Sequence, residues 1–262
     1  MKAKKIFLLI VIATYIFSGS AFAEPKGKEK SYAVPGEFDY YVFSLSWQPT
    51  FCETKPDKKE CATQTAERYD SKNLVLHGLW PNKNDDKHHN YGYCGVKSGV
   101  RKLDKASTWC RMPAPTLSDD TKKNLAVYMP GYASCLERHE WYKHGACSGL
   151  KAEDYFVTAY TLVTKIADTN FGRYISANVG NTVDSDDLLS ELVKDFGEDS
   201  RDFITIYCES IKGSGMLSEV RMYLINPLPS DGGLKEMFVR PESPEQGNCP
   251  QKILIDRVHG TN

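Results

Sequence analysis

Leu74-Val75-Leu76-His77-Gly78-Leu79-Trp80-Pro81 is an apolar run interrupted by one histidine and closed by Trp-Pro, and it reads as a strand bounded by turn formers. Four other runs share its β-branched and aromatic character: Tyr40 to Trp47, Phe203 to Tyr207, Val220 to Ile225 and Lys252 to Ile255. Helical signals of unequal length lie between them. Ser118 or Asp119 caps a helix running through Met129, Ala152 to Ala167 has helical apolar spacing, and Ser185 to Val193 carries acids in its first turn. The regular strand–helix alternation of a parallel sheet is absent. The expected class is therefore α+β with a mainly antiparallel sheet flanked by helices.

The chain of 262 residues opens with Met1-Lys2-Ala3-Lys4-Lys5, an apolar stretch, and then Ala21-Phe22-Ala23. A basic start, an apolar run and a small-residue exit predict a signal peptide over 1–23 and export of the remainder, to the periplasm if the source is Gram-negative. The apolar run is short for a membrane span and is broken by Ser18-Gly19-Ser20, so no membrane attachment is expected after its removal. Residues 24–36 form a polar, lysine-rich lead, and 37–262 fit one domain with no internal linker or repeat. The signal holds three of the 33 basic residues and no acid, so the rest has 30 basic against 34 acidic residues, a formal charge of −4. That excludes a broad basic footprint for nucleic acid; a polyanion must be held by a local cluster of cations. All eight cysteines follow the signal, and an even set in an exported chain predicts a disulfide framework. No Cys-x-x-Cys supports a zinc site instead.

The densest chemistry lies in Cys135-Leu136-Glu137-Arg138-His139-Glu140-Trp141-Tyr142-Lys143-His144-Gly145-Ala146-Cys147. On a helix His139 stacks over Lys143, and Glu140 over His144, so four polar heads share roughly 140° of arc. Gly145 is expected to end the helix in the left-handed conformation, and the helix dipole to favour a cationic imidazole beside that end. A zinc protease needs His-Glu-x-x-His; here the second histidine comes one place late and Lys143 holds the ligand position. An ammonium suits a phosphate rather than a metal. His77, taken alone, is more often a hydrogen-bonded core histidine than a catalyst.

Taken together, His77-Gly78-Leu79-Trp80-Pro81 and His139 to Cys147 resemble the two signatures of the ribonuclease T2 family, in particular its bacterial periplasmic members. Phe38 to Trp47, Cys208 and Cys249 extend the resemblance over most of the chain, with Ser46 replacing the glutamine that many relatives carry. The resemblance implies an endoribonuclease acting on single-stranded RNA with low base specificity, through 2′,3′-cyclic phosphates. It makes His77 and His144 the acid–base pair, with Glu140 and Lys143 beside the phosphate and His139 helping to bind it. It also implies the disulfides Cys94–Cys147 and Cys208–Cys249, and with them Cys52–Cys61 and Cys110–Cys135.

That chemistry is self-consistent. RNA brings its own nucleophile, the 2′-hydroxyl, so a base, an acid and nearby cations suffice, and two histidines supply both proton transfers near neutrality. No cofactor or metal is expected, and DNA should be inert. A monomer is expected. Trp80 follows the His77 strand and could stack on a base or simply pack in the core; strict strand alternation puts it on the opposite face from His77. His88, His89, Tyr91 and Tyr93 in the loop beyond are further candidates for RNA contact. The alternatives are an inactive RNA-binding or toxin-like relative, which needs no acid–base pair, and a zinc hydrolase.

Overall fold

The computed structural model describes residues 33–84, 91–229 and 233–258. The predicted signal peptide, most of the polar lead, and His88 and His89 lie outside the described residues. Among these residues the elements run β1 (Tyr40–Ser46), α1 (Gln48–Thr54), α2 (Lys59–Ala62), β2 (Val75–Asn82), α3 (Ser98–Arg101), α4 (Asp119–Tyr128), α5 (Leu136–Lys143), α6 (Ala152–Ala167), α7 (Asn170–Ala177), β3 (Thr182–Asp184), α8 (Ser185–Phe196), β4 (Ile204–Ile211), β5 (Ser214–Ile225) and β6 (Lys252–Leu254). The strands form one sheet in the order β2-β1-β5-β6-β3, with β4 also paired to β5. Every pairing is antiparallel except the single parallel bridge between β5 and β6. The class is α+β.

β1 lies between β2 and β5 and is buried along almost its whole length, which is why Tyr40-Tyr41-Val42-Phe43-Ser44-Leu45 reads as a continuous apolar run rather than an alternation. Ser44 is the polar exception, and its hydroxyl is spoken for by the site described below. Trp47 is fully buried just past β1 and donates its indole N–H to the Asp256 carbonyl at 2.8 Å, tying the first strand to the C-terminal segment. α6 covers one face of β2. Its buried residues Tyr155, Phe156, Ala159, Leu162, Val163 and Ile166 form one helical stripe. Tyr155 donates its hydroxyl to the Leu79 carbonyl at 2.8 Å, which locks that stripe to the strand.

The short β3 had no sequence signal, since three residues do not establish a period. The helix caps are more legible. Ser118 caps α4 by accepting from the Thr121 N–H, and Asp184 caps α8 by accepting from the Asp186 N–H.

Four disulfides, Cys52–Cys61, Cys94–Cys147, Cys110–Cys135 and Cys208–Cys249, leave no cysteine free. Two of them bracket α5. Cys135 is its N-terminal cap and sits in the left-handed region at φ 62°, while Cys147 closes the turn that follows.

The Cys94–Cys147 bridge closes a long loop onto a fully buried sulfur, so the double variant Cys94→Ser/Cys147→Ser should lose about 2–5 kcal/mol of stability in urea unfolding without reductant. An unchanged midpoint and slope would count against this role for the bridge.

Candidate active site

β2 presents its polar face through a bulge. Its register on β1 runs from Asn82 opposite Tyr40 to Gly78 opposite Ser44 and then jumps to Leu76 opposite Leu45, leaving His77 as the extra residue. Bulges concentrate at sheet edges and functional sites because they re-aim a side chain, and β2 is an edge strand. The expectation that Trp80 faces away from His77 is corrected here: the bulge breaks the alternation, and the two rings meet edge-on at 5.1 Å. Gly78 lies between them. A Cβ there would stand 2.1 Å from both Glu140 Oε2 and Trp80 Nε1, so only glycine leaves room for the helix to approach.

α5 supplies the opposite wall. Glu140 is fully buried, and its Oε2 accepts the Trp80 indole N–H at 2.7 Å while its Oε1 has no hydrogen-bond partner. The helix ends at Lys143, and the His144 N–H donates to the Glu140 carbonyl at 3.1 Å. Gly145 is not left-handed, which corrects the expected helix stop. It begins a 3₁₀ turn, and its lack of a side chain is instead required by packing, since a Cβ would lie 2.6 Å from the Trp141 ring and 3.0 Å from Tyr155. The His144 ring stacks on Trp80 at 5.2 Å. His139 stands one turn earlier, 6.0 Å from His144 between ring centroids, with Nε2 3.8 Å from Glu140 Oε1. Its Nδ1 contacts the buried Asp104 carboxylate at 2.6 Å, and Trp109 stacks on its ring at 4.8 Å. Asp104 also accepts from the Trp109 indole and the Tyr93 hydroxyl, each at 2.7 Å.

β5 completes the site with residues that the sequence reading did not single out. Glu219 Oε1 accepts from the Ser44 hydroxyl and from Arg221 Nε, each at 2.6 Å, and its Oε2 lies 3.6 Å from His77 Nδ1. Arg221 in turn lies over the Trp80 ring at 5.3 Å and donates to Glu245. Glu219 and Arg221 alternate with the buried Val220 and Met222, so two charges at period two in an apolar strand were a usable signal. Asp104 and Glu245 lie in irregular segments and Trp109 opens a short 3₁₀ turn, and they carried none.

His77, Trp80, His139, Glu140, Lys143, His144, Arg221 and Glu245 thus line one cleft of about 320 Å³. Tyr91 borders it but directs its hydroxyl to the Val34 carbonyl. A second cavity of about 330 Å³ reaches His77 from the other side, past Ser46, Gln48, Lys58, Trp109 and Glu219. His139, Glu140 and His144 offer ligand atoms within 4.8 Å of one another. However, the Lys143 ammonium shares the cleft with them, and a fixed cation there suits an anion better than a second cation.

The two histidines are driven apart in protonation. Burial pulls the His77 imidazolium down, but the Glu219 hydrogen bond and the Glu140 and Glu219 charges outweigh it and raise the pKa above its usual value. For Glu219, burial pushes up, yet His77, Arg221 and Ser44 bring the carboxyl down to about 2. His144 goes the other way. Burial first, then the positive charges of Lys143, His139 and His77, hold it well below the usual histidine range, so the expected dipole-favoured cation at this helix end is corrected. Burial raises Glu140 despite its cationic neighbours.

The model of the Ribonuclease T2 family matches residues 38–238. Ribonuclease I of Escherichia coli strain K12 is 30% identical over 244 residues, which cover 85% of this chain and 88% of that protein. The crystal structure of the Nicotiana alata SF11-RNase covers 84% of this chain and 100% of its own with a TM-score of 0.57 at 18% identity. That of RNase NT, in complex with 5′-AMP, covers 84% and 99% with a TM-score of 0.54 at 17% identity.

In NMR titrations of the ring protons, His77 should have its midpoint above 6.5 and His144 below it. Glu219→Gln removes the partner that raises His77, so the His77 midpoint should move down while His144 changes little. Finding His144 to titrate above His77 would contradict this electrostatic account.

Proposed function

The chain belongs to the ribonuclease T2 family and is a ribonuclease, and we propose that it is an exported, metal-independent endoribonuclease that cleaves single-stranded RNA with low base specificity through 2′,3′-cyclic phosphates. One observation carries the mechanism. His77 and His144 come from different elements, border the same indole at 5.1 and 5.2 Å, and are biased to opposite protonation states at one pH. That is the arrangement an acid–base pair needs.

Neutral His144 takes the 2′-hydroxyl proton. The 2′-oxygen attacks the phosphorus, and protonated His77 donates its proton to the departing 5′-oxygen, leaving a cyclic phosphate and a free 5′-hydroxyl. Lys143 and His139 stand beside the phosphate as cations or donors for the charge that accumulates on the phosphorane. Burial raises the Glu140 carboxyl, whose Oε2 is tied to Trp80, and Glu140 acts from the wall beside the phosphate by holding that indole and balancing the cations around it. Glu219 keeps His77 charged and orients its ring. Trp80 lines the cleft and touches the substrate while its N–H holds Glu140. The cavity past Ser46 is a place for a base, and the 5′-AMP of the RNase NT complex is consistent with such a reading. Export is supported by the Ala21-Phe22-Ala23 exit of the N-terminal segment and by the four disulfides. Among the described residues no helix is long and apolar enough to cross a membrane.

Replacing one ribose by 2′-deoxyribose in an RNA oligonucleotide should abolish cutting at that linkage alone, with and without EDTA. Cutting that persists there would sink the internal-nucleophile mechanism, and inhibition by EDTA would point to a metal enzyme.

The division of labour is tested by leaving-group rescue. Loss of one acid or base costs ~10²–10⁴ in rate, but a uridine 3′-(nitrophenyl phosphate) needs no acid to expel its phenolate. It should restore His77→Ala far more than His144→Ala; selective rescue of His144→Ala would mean that the roles are reversed.

A further inference from the structure

Residues 97–111 read Lys97-Ser98-Gly99-Val100-Arg101-Lys102-Leu103-Asp104-Lys105-Ala106-Ser107-Thr108-Trp109-Cys110-Arg111, five cations and a single acid. The acid is turned inward. Asp104, with only 1% of its side chain exposed, holds His139, Trp109 and Tyr93, so it does not neutralise the outer surface. Lys97, Arg101, Lys102, Lys105 and Arg111 are all exposed. Among the described residues none of the five joins an ion pair with a carboxylate. This differs from Lys123, Lys194 and Lys252, which each face an acid at 2.6–3.1 Å.

The band is fixed against the cleft at several points. The Tyr93 N–H donates to the Lys143 carbonyl at 2.9 Å, and the Arg101 guanidinium lies 4.5 Å over the Tyr93 ring. Trp109 stacks on His139, and Lys58 lies 5.1 Å over the same indole. Lys55 and Lys58 line the cavity that reaches His77. The Cys110–Cys135 bridge staples the end of the segment to the start of α5. Asp104, whose carboxylate meets His139 Nδ1 at 2.6 Å, is the direct chain neighbour of Lys105, so the band starts one residue from the wall of the cleft. The chain after the signal carries a charge of −4, so attraction of a polyanion must come from such a local field.

We propose that this band is the docking surface for the RNA strand that flanks the scissile linkage, binding its phosphates by counterion release outside the catalytic cleft. The proposal rests on the ribonuclease reading and extends it from the bond that is cut to the strand that is held. A dinucleotide has a single internucleotide phosphate, the one that is cut, and so offers none to the band; a longer strand does.

The test uses Lys97→Gln/Lys102→Gln/Lys105→Gln in the full exported protein, none of whose three positions belongs to the catalytic machinery. Binding of a 2′-O-methyl RNA of about 20 nucleotides, which cannot be cut, is followed by fluorescence anisotropy against salt. At ~0.7 in the log–log salt slope per single-strand phosphate contact, the variant should lose up to about 2 in slope. Between roughly 50 and 200 mM salt, affinity should then fall roughly 20-fold less steeply than for the wild type. Its kcat/KM on a uridylyl-uridine dinucleotide should stay within about twofold. An unchanged slope overturns the proposal, and so does an equal loss in the charge-matched variant Lys123→Gln/Lys194→Gln/Lys252→Gln, which would reduce the effect to net charge. Failure of the wild type to cut the dinucleotide would instead overturn the ribonuclease reading, while the anisotropy still decides the docking surface.

Discussion

The hydrogen bond from the Trp80 indole to Glu140 Oε2 joins the strand that carries His77 to the helix that carries His139, Lys143 and His144. It crosses the space that any side chain at position 78 would fill. With it in place, two histidines 67 residues apart in sequence border a single ring. Without it, the fully buried Glu140 carboxyl would lack a hydrogen-bond partner, at a cost of about 1–3 kcal/mol. The remaining devices serve this junction: the bulge at His77, the close approach of Gly145 to Trp141 and Tyr155, and the disulfides at either end of α5 all set how near the helix can come.

Charge is arranged around that junction asymmetrically. On the strand side Glu219 is itself stabilised by Arg221 and Ser44, so it stays ionised and raises the pKa of its histidine. On the helix side burial and then cations act together on His144 and lower its pKa. The same fold therefore shifts two histidines that border one indole in opposite directions, because one imidazole faces a carboxylate and the other faces Lys143 and His139. His139 is set apart by a third environment, with Asp104 on its Nδ1 and Trp109 on its face.

Much of the fold was legible locally. The long helix α6 follows from apolar spacing at the helical period, and the strands β1, β2, β4, β5 and β6 from β-branched and aromatic runs, because burial of one face or of both leaves a periodic mark. The bracketing of α5 was also legible, since it depends on cysteines that flank the segment in sequence. Gly145 was misread for a physical reason: glycine serves equally as a left-handed stop and as a gap for close packing, and only the position of Tyr155, on another helix, distinguishes the two. His77 and Trp80 were separated by the rule of alternation, which fails where one strand carries an extra residue that its partner does not.

The sequence by itself determined the α+β class and the ribonuclease T2 resemblance, because these rest on residue types at fixed local spacings, and through that resemblance it singled out His77, His139, Glu140, Lys143 and His144 as site candidates. The tertiary structure alone decided which faces those residues present, that Trp80 packs against the core and also lines the cleft, and that Ser44, Asp104, Glu219 and Arg221 join the candidate site. It also decided the direction of the shifts of His77 and His144. A pKa depends on through-space partners and burial, and for His77 these come from a strand as distant as β5, whose proximity no local pattern encodes.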